Sequence, residues 1–99
     1  MKWSQFQDDT EVCYLCGSTK NLHWHHVYHW SSWVREVCEL EGCLVRVCAD
    51  CHNLSPHAIH NDPKTEKALQ RDIQRKWQEL NDKTDEDFIK TFGKGYLYE

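Results

Sequence analysis

Hydrophobic positions change period along this chain, and the changes mark its elements. Residues 22–28 alternate: Leu22, Trp24 and His26 point one way and His23, His25 and Val27 the other, the period of a strand. Trp33, Val34, Val37, Cys38 and Leu40 then recur at helical spacing, with Ser31 or Ser32 as cap and Gly42 as stop. A longer ribbon is the alternative for that segment. Residues 44–47 form a second strand running into Cys48, and residues 51–60 begin as a helical turn and become a histidine-rich loop. The strongest period spans 62–81, where Asp62 is N-cap and Pro63 the first helical residue. Leu69, Ile73, Trp77 and Leu80 share its apolar face; Lys64, Lys67, Arg71 and Arg75 lie opposite. Thr84 and Asp87 then approximate a capping box for a short helix carrying Phe88, Ile89 and Phe92, which Gly93 ends.

Strands followed by helices in 99 residues predict one α+β domain. Within it, 1–11 reads as a loose polar arm from which Trp3 and Phe6 can tuck back. Residues 12–61 hold the strands and most of the chemistry, and 62–99 the C-terminal helices and tail. A core of this size benefits from a staple. Cysteine spacing supplies one: Cys13/Cys16 and Cys48/Cys51 are two C-x-x-C pairs, the spacing of a closed four-thiolate zinc site. Gly17 permits the positive φ with which the chain wraps a metal. The N-terminus runs into Asp8, Asp9 and Glu11 without an apolar stretch, so neither a signal peptide nor a membrane span of roughly 18 apolar residues is expected. Reduced thiols in a cytoplasmic setting follow, and zinc is preferred to disulfides. Cys38 and Cys43, outside the pairs, are expected as small buried side chains.

All seven histidines fall between His23 and His60; the cysteine pairs bracket the His25-His26 step, His52 directly follows the second pair, and the grouping resembles an open, reactive metal site. The net charge of −4 offers no global attraction to a polyanion, so any nucleic-acid contact rests on local patches and a bound ion. The 62–81 stripe of Lys64, Lys67, Arg71 and Arg75 is the candidate backbone contact, against an ordinary solvated face.

Cys13-Tyr-Leu-Cys-Gly17, Leu22-His-Trp-His-His-Val27, Val47-Cys-Ala-Asp-Cys-His-Asn53 and Ala58-Ile-His60 together resemble HNH endonucleases of the ββα-metal superfamily. The likeness is to the short bacteriophage-encoded members, and Phe92-Gly-Lys-Gly-Tyr-Leu97 resembles their tail. It implies a zinc-stapled ββα-metal domain with additional C-terminal helices. It also implies metal-dependent hydrolysis of DNA, with His25 and His52 as metal ligands and His26 as general base. For the third ligand the resemblance favours His60; His57, five residues after His52, is the alternative. The implied cofactors are structural Zn²⁺ and a catalytic Mg²⁺, Mn²⁺, Ni²⁺ or Zn²⁺. The implied partners are DNA and phage packaging or recombination proteins, in the host cytoplasm.

One departure stands out. The family's asparagine, which holds the loop of the general base, is absent: residues 27–47 contain no Asn, and Cys43 takes its place in register. Ser31, Ser32 or His29 are the candidate substitutes. The competing function is a non-catalytic zinc adaptor, which would need the four cysteines but not His25, His26, His52 and His60 together.

Overall fold

The structure, a computed structural model, describes residues 2–98. Its sheet is a two-stranded antiparallel ribbon of β1 (Leu22–His26) and β2 (Leu44–Cys48), in register from Leu22 opposite Cys48 to His26 opposite Leu44. Between the strands runs α1 (Ser32–Glu41). A single π-helical turn (Asp50–Leu54) follows β2, and α2 (Pro63–Asn81) and α3 (Asp85–Phe92) complete the chain. The expected α+β arrangement of a small strand pair followed by helices is present.

β1 is shorter than its alternation predicts. After His26 the backbone leaves the ribbon, and Val27 and Tyr28 are both buried. Tyr28 enters an aromatic core: its ring lies 5.2 Å from Phe88 and 4.8 Å from Tyr96, while Phe88 stacks on Phe92 at 4.5 Å. Trp77 closes this cluster from α2, 5.5 Å from both phenylalanines.

The caps on the two later helices form as their sequences predict. The Asp62 carboxylate accepts from the Lys64 amide at 3.0 Å. Thr84 and Asp87 make both bonds of a capping box, with Asp in place of the usual Glu or Gln. At α1, Ser31 occupies the N-cap position without a side-chain bond. Gly42 is left-handed (φ 66°), and a Cβ there would sit 2.8 Å from the Trp3 ring, so conformation and packing both require glycine.

Four apolar side chains expected inside are largely exposed: Trp33, Leu40, Leu80 and Ile89. On α2 the buried face is rotated toward Gln70 and Gln74, because both amides have partners there. Gln70 donates to the Val27 carbonyl, and the Gln74 amide oxygen accepts from the Tyr96 amide. Satisfied polar groups can occupy a core, and here they displace the hydrophobic periodicity. At the helix end Asn81 reaches across to Gln5 while Leu80 is left to solvent.

The N-terminal arm packs against the domain. Gln5 donates its amide to the Gly42 carbonyl, Trp3 bonds the Glu39 carbonyl, and the Gln7 side-chain oxygen accepts from the Arg46 amide. Tyr14 donates to the Arg46 carbonyl on that same edge. Arm and knuckle together therefore cover the edge of β2 that β1 does not pair.

Candidate metal centres

The first centre is made by two turns. Gly17 (φ 79°) lets the chain double back, with its amide on the Cys13 carbonyl at 2.9 Å. That loop faces the end of β2, where Cys48 closes the strand and the π turn delivers Cys51. All four sulfurs, Cys13, Cys16, Cys48 and Cys51, lie within 4.8 Å of one another, with Cys16 and Cys48 at 3.6 Å. A tetrahedral zinc with bonds of about 2.3 Å needs sulfur–sulfur edges of roughly 3.8 Å. Donor type, number and spacing thus fit a structural metal such as zinc. All six cysteines are free thiols. Burial raises the Cys13 pKa, but backbone amides of Cys48, Cys16 and Leu15 outweigh it and bring the thiol down to about 7. Cys51 is pushed up, by burial and by the other three thiols, as expected where sulfurs crowd together and a cation would replace their protons. Cys38 and Cys43 are fully buried; burial pushes the Cys38 thiol up to about 12 and raises Cys43 as well, so both are unreactive packing residues.

The second centre lies beside the first, because His52 directly follows Cys51. Ring nitrogens of His25, His52 and His60 lie within 4.8 Å of one another. Backbone pairing sets this up: the Ile59 amide donates to the Cys51 carbonyl and the His60 amide to the His52 carbonyl. The 51–60 loop therefore closes with His60 alongside His52, their Nε2 atoms 3.0 Å apart. His57 lies outside the cluster, exposed and facing Asp62. His25 is 3% exposed, and its Nε2 is buried without a hydrogen-bond partner. An orphaned buried nitrogen is costly unless something satisfies it, and a cation held also by His52 and His60 would do so. Burial, then the neighbouring imidazoles His60, His52 and His29, lowers the His25 pKa to about 3. The ring is thus neutral, the state that binds metal.

His26 does not join the three. It lines the same cavity of about 280 Å³ as Trp24, His25, His29, Arg35, His52 and His60. Its Nε2 lies 3.7 Å from the Glu39 carboxylate. Burial lowers its pKa and Glu39 opposes that shift. His23 and His29 both have partners. His23 Nδ1 lies 3.1 Å from His52 Nδ1, and His29 Nε2 pairs with Glu66. His52 is thus engaged through both ring nitrogens, by His23 and His60. The strand period that puts His23 on the face of His25 was a usable signal for His23. No sequence signal marks Arg35 or Glu39, because α1 reaches the cavity only through tertiary packing.

The loop after His26 is held without an asparagine. Val27 donates to the Cys43 carbonyl, the Cys38 thiol to the Tyr28 carbonyl, and the Tyr28 hydroxyl to the Gln70 carbonyl at 2.6 Å. Gln70 Nε2 completes the set on the Val27 carbonyl at 3.2 Å. Ser31 and Ser32 make no side-chain bond to this loop among the described residues, and His29 is engaged with Glu66. Of the basic stripe, Lys67 borders a groove that adjoins the histidine cavity, whereas Lys64 borders a groove beside Tyr14 and Leu15. Arg75 is exposed, and Arg71 is half-buried. Among the described residues no helix is long and apolar enough to cross a membrane. No protein-family model, curated protein or solved structure matches this chain.

Proposed function

We propose that the chain is a metal-dependent endonuclease of the HNH type that hydrolyses DNA phosphodiester bonds. The observation that carries this reading is the division among the histidines. Three converge on one point, with an unsatisfied buried nitrogen, and a fourth stands apart in the same cavity. His25, His52 and His60 would hold a divalent ion, which when bound supplies the positive charge that phosphate and leaving oxygen need. Three protein ligands leave open positions, the arrangement of a reactive rather than a structural centre.

His26 is then the general base. Glu39 beside Nε2 favours the proton on that nitrogen, leaving Nδ1 to accept one from water. The backbone bonds of Val27 and Tyr28 hold the residues that follow it. Arg35 supplies fixed positive charge to the same cavity and is suited to a phosphate oxygen. The cysteine centre acts indirectly, by anchoring Cys51 and therefore His52.

A non-catalytic zinc module is the competing reading, favoured by the net charge of −4. Nicking of supercoiled plasmid at low salt with Mg²⁺, Mn²⁺, Ni²⁺ or Zn²⁺, wild type beside His26→Ala, separates the two. Wild-type cleavage reduced about 10²–10⁴-fold in the variant supports the enzyme. No cleavage with any ion, from protein that keeps its zinc, supports the adaptor.

A further inference from the structure

A second groove, of about 590 Å³, is bordered by His29, Trp30, Pro63, Glu66, Lys67, Gln70, Lys94 and Tyr96. It meets the histidine cavity at His29, which lines both; that ring lies 5.9 Å from those of His25 and His60. Its charge is biased toward anions, because two lysines, Lys67 and Lys94, outnumber the one carboxylate in its wall, Glu66, which bonds His29. Lys67 stands on α2, and the Lys94 ammonium lies 5.0 Å over the Tyr96 ring.

Its aromatic wall is fixed in place. Trp30 is half exposed, yet its indole N–H bonds the Phe92 carbonyl at 3.1 Å and its ring meets Trp33 edge-on at 5.5 Å. Beneath it Gly93 has no side chain, and a Cβ there would come within 2.5 Å of the indole. A half-exposed tryptophan held this firmly is a pre-organised stacking face.

We infer that this groove binds an unpaired nucleotide next to the scissile phosphate, Trp30 stacking on the base and Lys67 and Lys94 meeting the backbone phosphates. The inference rests on the nuclease reading and names the substrate class of that site: DNA with unpaired bases rather than continuous duplex. Stacked base pairs cover both faces of each base in a duplex, whereas an unpaired base offers a free face to an aromatic side chain.

The test measures fluorescence anisotropy of two labelled DNAs of one sequence, fully paired or with a short central bubble, with no second metal added. The double variant Lys67→Ala/Lys94→Ala is the main comparison, and Trp30→Ala the second. Wild type should bind the bubble about 10-fold more tightly than the duplex. The lysine variant should lose most affinity for both and flatten the salt dependence. Trp30→Ala, with its folding checked by melting, should lose the bubble preference. Equal wild-type affinity for the two DNAs overturns the inference, as does a bubble preference that survives in both variants. Because binding is read without cleavage, a failed groove and a failed nuclease give different results. Bubble-selective binding without nicking under any ion keeps the groove and removes the nuclease.

Discussion

The two clusters share one hinge residue pair, Cys51-His52, yet they are built differently. The cysteines are delivered by turns at the end of a strand, and their four sulfurs lie within 4.8 Å of one another, enough donors to fill a tetrahedral ion's positions. The histidines come from β1, the π turn and a loop closed by the Ile59 and His60 amides, and they line a cavity with His26 and Arg35. Adjacent residues therefore belong to different clusters, one with four donors and the other with three. The lesson is that ligand identity gives affinity, while the surroundings decide whether a site is structural or reactive.

The sharpest way to break this comparison is to damage the cysteine centre. Cys48→Ser should abolish cooperative melting and release the zinc, since structural zinc contributes about 10 kcal/mol or more to such domains. A melting curve and zinc content like wild type would remove the four-cysteine assignment.

The second test strikes the histidines alone. His52→Ala should keep the fold and the cysteine-held zinc but weaken binding of a second ion by at least about 100-fold, with cleavage lost. Titration calorimetry with Mn²⁺ or Ni²⁺ measures it, and undiminished binding would mean the three histidines do not form one site.

A third test asks whether the loop between the two functions is held by Gln70. Gln70→Leu leaves the Val27 carbonyl short of a donor and should cost about 1–3 kcal/mol of stability. The turnover rate should fall while metal content stays constant. Normal turnover in a folded variant would show that the Cys38, Cys43 and Tyr28 bonds position the loop without the Gln70 side chain.

The smallest effect lies farthest from either centre. Thr84→Ala removes the hydroxyl that accepts the Asp87 amide at 3.1 Å. It should cost about 1 kcal/mol, a drop of roughly 4–8 °C in melting midpoint, with both metals retained. Loss of either metal would tie α3 to the centres more closely than its contacts indicate.

Much of this was legible before folding was considered. C-x-x-C spacing brings each cysteine pair within one turn, so local chain geometry nearly determines each half of the four-cysteine set. Caps read equally well, because Asp62, Thr84 and Asp87 bond amides two or three residues away. The amphipathic face of α2 was right at Leu69, Ile73 and Trp77, and wrong at Leu80. Periodicity counts apolar residues and cannot foresee that Gln70, Gln74 and Asn81 would find partners inside.

Sequence by itself determined the donor atoms and their local spacing, the two later helices with their caps, and the strand pair. Tertiary structure brought His60, which the resemblance favoured, and not His57 into the cluster; only it joined His23 to His52 and brought Arg35 and Glu39 to the histidines. Only it placed the Gln70 amide on the Val27 carbonyl, 43 residues away in sequence. The physical reason is range. Spacing and capping act over a few bonds, whereas convergence of side chains from separate elements depends on how their buried faces pack.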